Sequence, residues 1–247
     1  MAIDTRVYWL WLQDAIGVGA PQSDEILRRF KTAKAVYEAP DDTVWETLTS
    51  KQREALRDKN LTAASDYLRK VLKADAWLLT PDDVAYPSLL RAIYAPPLVL
   101  YGKGSCFSVE LLPTIAVVGS RTASRNGVYV ARRIAAGLAA AGVIVVSGGA
   151  EGIDDVALTA ALDAGGTCIS FQAWGIDVSY PRATAGTRER LIRSGGMLLT
   201  EFPPGSRAYP GNFHIRNRLI SGISMGVFVP QAPEKSGALI TARHARE

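Results

Sequence analysis

The sequence predicts an α/β protein, a mostly parallel sheet preceded by a small all-helical N-terminal part. Three observations predict it. Residues 6 to 74 read as helical throughout. From Thr114 onward, short β-branched runs alternate with helical stretches. One of those runs, Val143 to Ser147, stops at the glycine turn Gly148-Gly149-Ala150-Glu151-Gly152 and restarts as a helix. Such alternation means βαβ units. A continuous apolar run suits a strand covered on both faces, and glycines let the backbone turn sharply and approach a ligand closely.

In the first part, Arg6 to Leu12 starts an apolar-rich helix, Gly17-Val18-Gly19 breaks it, and Ser23-Asp24-Glu25 opens a second with acidic residues in its first turn. Thr43 and Glu46 have capping-box spacing ahead of a short third helix, and Leu61 to Ala74 has apolar residues at helical intervals. A helix, a Gly-Val-Gly hinge and another helix resemble SAM-like, helix-hairpin-helix modules, which offer loop amides to DNA phosphates. Residues 1–75 are therefore assigned to a helical domain, 76–113 to a junction whose pieces Ala76-Leu79 and Tyr94-Gly104 read as short strands with the prolines as fixed turns, and 114–247 to the sheet domain. The boundary is placed near Gly104, and the short strands are candidates to extend the sheet. The last part ends inside a helical stretch, Ala238-Glu247.

Expected strands in the sheet domain are Ile115-Val118, Val143-Ser147, Thr167-Phe171, Gly196-Thr200 and Met225-Pro230, with helices at Val128-Ala141 and Asp155-Ala164 between them. Right-handed crossovers place every loop after a strand on one carboxyl edge, where open α/β sheets bind ligands. Those loops hold glycine turns, Arg121, Trp174, Tyr180, Phe213, Arg216, Arg218 and Lys235. Backbone amides and guanidinium groups suit phosphates, and aromatic rings stack bases.

The 247 residues suffice for one large domain or two smaller ones, and no apolar run reaches membrane-spanning length. The start, Met1-Ala2-Ile3-Asp4, lacks a signal-peptide profile, so a cytoplasmic protein is expected. Charge is uneven. Residues 1–114 hold 14 Lys+Arg against 15 Asp+Glu, whereas residues 115–247 hold 14 against 9, and all those later cations but Lys235 are arginine. Arginine grips phosphate oxygens bidentately, which hints at a polyanionic partner. Cys106 and Cys168 have no metal or redox spacing and read as reduced packing residues. His214 has no ligand-spaced companion, so neither metal nor catalytic centre is expected.

Arg216 and Arg218 lie two apart at a helix start and cannot share one face; Glu201 and Asp177 are their candidate partners. Asp154 and Asp155 stand in a first helical turn, where carboxylates offset the helix dipole.

Gly119-Ser120-Arg121, the Ser147 to Asp154 turn, Gly175-Ile176-Asp177 with Tyr180-Pro181, Glu201 to Gly205, Pro210 to Gly222 and Lys235-Ser236-Gly237 occur in one order and spacing. Asp83, Tyr86-Pro87, Pro96-Pro97 and Gly102-Lys103-Gly104 precede them. In this the chain resembles the DprA/Smf family of DNA-processing proteins, over roughly residues 80 to 247 and less distinctively before that. The resemblance implies a Rossmann-like domain that binds single-stranded DNA without metal, nucleotide or other cofactor. It further implies protection of incoming strands in natural transformation, loading of the RecA recombinase, and a homodimer. By motif match, the DNA-binding positions are Ser120, Arg121, Gly148, Gly149, Asn212, Arg216, Asn217, Arg218, Lys235, Ser236 and Gly237.

The chain departs from the family at three places. Glu151 stands where the family usually has arginine, and Thr167 where it commonly has lysine. The chain also ends before the family's self-association region, which bears on the homodimer. Two alternatives follow. One is a nucleotide-hydrolysing enzyme of the lysine-decarboxylase-like Rossmann family, with Glu151 as base and Arg121 on the phosphate. The other is a DprA paralogue with weakened DNA binding.

Overall fold

The computed structural model describes residues 4–40, 43 and 45–246. Five helices come first: α1 (Arg6–Ile16), α2 (Gln22–Phe30), α3 (Ala33–Tyr37), α4 (Ser50–Arg57) and α5 (Thr62–Lys73). Trp9, Leu10 and Leu12 of α1 are at most 1% exposed, and α3, α4 and α5 pack around that helix. The capping box of α4 is Thr49 with Gln52, which corrects the expectation for Thr43 and Glu46. Both pairs have the right spacing, but among the described residues no helix follows Thr43 before Ser50, whereas Ser50 to Arg57 follows Thr49 directly.

The sheet holds β1 (Trp77–Leu79), β2 (Leu100–Gly104), β3 (Thr114–Val117), β4 (Ile144–Ser147), β5 (Cys168–Phe171), β6 (Met197–Thr200) and β7 (Gly226–Phe228), in the order β1-β2-β6-β5-β4-β3-β7. Its helices are α6 (Ser88–Arg91), α7 (Arg125–Ala140), α8 (Ile153–Asp163), α9 (Ala185–Arg193), α10 (Pro210–Gly222) and α11 (Gly237–His244). Neighbours from β6 through β7 are parallel, while β2 runs antiparallel to β6, with Tyr101 opposite Thr200, and β1 antiparallel to β2. The mostly parallel α/β sheet read from the sequence is therefore present, and the two short strands before Thr114 lengthen it. Tyr86 is buried and donates its hydroxyl to the Pro97 carbonyl at 2.6 Å, which ties the two proline segments of that stretch together.

Every residue of β4 is buried, as its β-branched run requires. Alternation sends Val145 to one face and Ile144 and Val146 to the other. Val145 joins a cluster that runs from Trp9 and Leu12 through Leu78 to Ala157, so the helical part and one sheet face share a core. Val146 joins Ile169, Leu199, Leu219 and Ile220 on the opposite face. Cys168 fits the packing role expected of it, and burial pushes its thiol up to about 12. Cys106 does not fit that role, because it is exposed.

The chain advances from β3 to β6 across the sheet and then returns through α10 to β7, on the far side of β3. Six consecutive residues of α10, Arg216 to Ser221, are buried. The helix lies between the sheet, α6 and α11, with the Gly17-Ala20 loop against Ile215 and Arg218. This enclosure decides the fate of its arginines.

Candidate nucleic-acid interface

The site grows from the turn after β4. Gly152 has φ 85°, and a side chain there would collide with the Ser120 carbonyl, which already accepts the Ile153 N–H at 3.1 Å. Loops β3–α7 and β4–α8 are thereby joined. Their amides, expected to be open to an external anion, already face one. The Asp154 carboxylate accepts from Gly119 N–H at 3.2 Å, from Ala150 N–H at 3.4 Å and from Gly148 N–H. Burial pushes the Asp154 carboxyl above its ordinary range, while Arg216 and the three amides hold it back. Asp154 is thus the built-in anion of the turn, a larger role than the helix-dipole one expected of it.

Arg216 is 3% exposed and donates from Nη1 to the carbonyls of Gly148, at 2.6 Å, and Phe171. Burial pulls its guanidinium down to about 10, with Asp154 opposing the fall and Arg121 adding to it. A Cβ at Gly148 would lie 2.5 Å from Arg216 Nη1 and 2.7 Å from Asp154 Oδ2, so only glycine fits there. Gly149 is buried and accepts from Thr184 Oγ1 at 3.1 Å. Asn217 donates to Gly237 O at 3.0 Å, and Asn212 to Ala173 O and Arg207 O, both at 3.1 Å.

Residues two apart on a helix point about 200° apart. Arg218 accordingly leaves α10 on the side opposite Arg216 and pairs with Glu201, whose other oxygen accepts the Gly19 N–H at 3.2 Å. Burial pushes the Glu201 carboxyl up, against the pull of Arg218 and that amide. The Glu201 carbonyl accepts from Gln13 at 3.2 Å, and Tyr101 donates to Gln13 Oε1 at 3.0 Å. Gly17-Val18-Gly19 is therefore a docking hinge and not a DNA-facing hairpin loop: its Gly19 amide is given to Glu201 and Val18 packs toward Trp174 and Phe202. Asp177, the other candidate partner, instead accepts from Gly205 N–H at 2.7 Å.

These placements correct several expected contacts. Gly148, Gly149, Arg216, Asn217 and Arg218 are buried and tied to internal partners, the last three because the Arg216–Ser221 stretch of α10 is enclosed, although its first turn is exposed at Pro210, Gly211 and His214. Asn212 has its amide committed to two carbonyls. Ser120 turns inward, donating to Thr122 O at 3.1 Å, and Ser236 caps α11 through Leu239 N–H at 3.4 Å. Gly237 is exposed at the start of α11, where its carbonyl accepts from Asn217.

Arg121 and Lys235 remain at the surface. Arg121 lies over the Phe213 ring, 5.0 Å from its centroid. Beside it opens a pocket of about 110 Å³ to which four successive edge loops contribute. Arg121 comes from the loop after β3, Glu151 from that after β4, Trp174, Tyr180 and Pro181 from that after β5, and Phe213 from the start of α10. Trp174 is 1% exposed and meets Tyr180 edge-on at 5.1 Å and Phe213 at 6.1 Å. Arg188 holds the wall, donating to Thr184 Oγ1 at 2.7 Å and to Pro181 O at 2.9 Å. Lys235 stands apart on the loop after β7 and makes no ion pair among the described residues.

Arg125 and Arg182, which the sequence places on the edge loops but not among the DNA-binding positions, and Arg207, which it does not single out, are all exposed on this edge. The signal for them was available, since each follows a strand of the parallel run. Thr167 is a correction of another kind. It precedes β5 and therefore sits at the amino end of the strand, roughly 13 Å of strand length from the loop that follows Phe171. A lysine lost there does not change the charge of the pocket.

Fold and edge together define a Rossmann-like α/β protein with a helical domain docked on it and an aromatic-lined pocket, holding one guanidinium and one carboxylate, at the carboxyl ends of its strands. The sequence profile of the DNA recombination-mediator protein A family matches residues 77–247, and the chain belongs to that family. It is 34% identical over 253 residues to Protein Smf of Synechocystis sp., covering 100% of this chain and 63% of that protein. It is also 38% identical over 165 residues to the DNA processing protein DprA of Streptococcus pneumoniae, covering 67% of this chain and 57% of that protein. The chain thus spans about half to two thirds of the length of these curated relatives. The crystal structure of the Streptococcus pneumoniae protein superposes with a TM-score of 0.79 at 28% identity, over 100% of this chain and 84% of that one. The Helicobacter pylori DNA processing protein A, in a structure concerned with its single-stranded DNA binding mode, superposes with a TM-score of 0.63 at 28% identity, over 69% and 75%. No helix among the described residues is long and apolar enough to cross a membrane.

Proposed function

We propose that this chain binds single-stranded DNA along the carboxyl edge of its sheet and delivers it to the RecA recombinase in the cytoplasm. The observation that carries the reading is the pocket itself. Four loops bring one guanidinium, one carboxylate and the rings of Tyr180 and Phe213, backed by the buried Trp174, to a single opening, with further exposed arginines and Lys235 on the same edge. Cations that track a phosphate backbone and rings that stack bases are the two requirements of a single-strand platform. The single-stranded DNA binding described for the Helicobacter pylori protein supports the choice of ligand.

The nucleotide-hydrolase alternative needs the glycine-turn amides for a substrate phosphate. Asp154 already accepts two of them, Gly148 and Ala150, together with the Gly119 amide of the neighbouring loop, and that argues for the binding reading.

Titrating a fluorescent thymine oligonucleotide at several salt concentrations tests the proposal. Each neutralised phosphate of a single strand contributes about −0.7 to the slope of log affinity against log salt. Three to five engaged cations then give a slope of roughly −2 to −3.5, and Arg121→Ala weakens binding. Affinity that ignores salt, or survives Arg121→Ala unchanged, overturns the reading. RecA delivery is read separately, as faster RecA nucleation on strands already coated with a general single-stranded-DNA-binding protein; no acceleration removes that half.

A further inference from the structure

The geometry points to Glu151 as a base-reading residue that makes the pocket prefer guanine over thymine in a bound single strand. This rests on the single-stranded DNA reading above and deepens it.

A carboxylate beside a phosphate path is repelled by it, so a contact with the backbone gives Glu151 no favourable role. Its internal use is also lacking: among the described residues no hydrogen bond or ion pair engages it, although Arg121 lines the same pocket. What remains for an exposed carboxylate at the mouth of an aromatic pocket is to accept hydrogen bonds from whatever ring enters. The space, about 110 Å³, is far below the ~300 Å³ or more that encloses a drug-sized ligand. It suits one planar ring system, and the lining supplies Tyr180, Phe213 and Pro181 to hold it, with the buried Trp174 packed behind the two rings.

The four bases differ sharply in what they show a carboxylate. In a single strand the Watson–Crick edge is free to be read. Guanine presents two adjacent donors, N1–H and N2–H, which match the two oxygens of one carboxylate. Cytosine and adenine present one amino group beside a ring nitrogen acceptor. Thymine presents one N3–H between two carbonyl oxygens, both of which repel Glu151. The order of preference is therefore guanine, then cytosine and adenine, then thymine. Arg121, stacked on Phe213, remains free to hold the adjoining phosphate.

The test compares fluorescence anisotropy of a short all-thymine strand with the same strand carrying one central guanine, at equal salt. Length and charge are identical, and sliding lets the guanine find the pocket. The guanine strand is expected to bind about fivefold tighter, the lower end of what a bidentate pair discriminates. Deoxyinosine, which lacks the N2 amine, should lose a large part of the preference. Glu151→Ala should abolish it and tighten the all-thymine strand by removing the repulsion; as the side chain is exposed, its thermal midpoint checks only that the fold is kept. Equal binding of the two strands by the wild-type protein, or a preference that survives Glu151→Ala, overturns the inference alone. If neither strand binds at low salt, the parent reading falls and this one with it.

Discussion

The pair of Arg218 and Glu201 separates a structural role from a DNA-contacting one. Their side chains are 9% and 3% exposed, and the guanidinium Nε and Nη1 are buried without hydrogen-bond partners. Arg218→Met removes the cation paired with a buried carboxylate and leaves Glu201, among the described residues, with the Gly19 amide as its side-chain donor. Breaking a buried pair from one side costs about 3–5 kcal/mol, because the charge left behind stays desolvated. For a chain of this length each kcal/mol lowers the thermal midpoint by ~2–4 °C, so a fall of roughly 6–20 °C is expected. Replacing both, Glu201→Leu with Arg218→Met, also removes the two orphaned nitrogens and recovers most of the loss, giving a coupling energy of about 2 kcal/mol or more. Thermal unfolding of the wild type, both single variants and the double variant measures the cycle. Oligonucleotide affinity, read below the midpoint of each variant, should stay near the wild-type value. An Arg218→Met midpoint within about 2 °C of wild type, together with weakened DNA binding, would refute the reasoning and return Arg218 to the groove.

Three further outcomes follow from the same geometry. Gly19→Ala should cost more than Gly17→Ala by about 1–3 kcal/mol of overpacking; both have positive φ, but a Cβ at Gly19 lies 2.6 Å from Ile215 while one at Gly17 meets nothing within 4 Å. Equal denaturation midpoints would contradict the docking role of that hinge. For Asp154, a folded pKa raised above the unfolded one means that its titration contributes stability fully below the ordinary aspartate range, and that this is lost as pH rises through the raised value. Asparagine does not titrate, so the penalty of Asp154→Asn in urea unfolding should be largest in acid and shrink toward neutral pH; a penalty that grows with pH counts against the burial argument. Thr167→Lys should change oligonucleotide affinity by less than about twofold at physiological salt, since the new charge sits more than a Debye length from the edge loops. A clear gain would place that end of β5 on the DNA path.

Much of the fold was legible because its signals are local. The run from Val143 to Ser147 is β-branched and apolar at every position before its terminal serine, and a strand buried on both faces is the arrangement that satisfies it. The turn at Gly148 to Gly152 is announced by its glycines, and all three meet the demand expected: a positive φ at Gly149 and Gly152 and close approach at Gly148. What approaches Gly148 was not legible. A ligand was expected there, and the neighbours are Asp154 and Arg216, side chains of the protein itself. The capping error has the same origin at shorter range. Thr43 and Thr49 each satisfy the pattern, and only the helix that follows chooses between them.

For the site, the sequence shows which charges reach the edge and not which already have a counter-charge. The spacing of Arg216 and Arg218 correctly says that they diverge, but it says nothing of what lies on either side. The answer depends on two contacts distant in sequence: Asp154 waits on one side of α10, and Glu201 with the hinge at Gly19 waits on the other. A guanidinium can serve a phosphate only if no carboxylate of its own has claimed it. Arg216 faces Asp154 and Arg218 pairs with Glu201; Arg121 has an aromatic ring for a neighbour and Lys235 has solvent. The same reasoning applied to the negative charges sets Glu151 apart from Asp154 and Glu201, since it alone of the three stands at the pocket mouth without an internal cation. Its partner therefore has to arrive with the ligand.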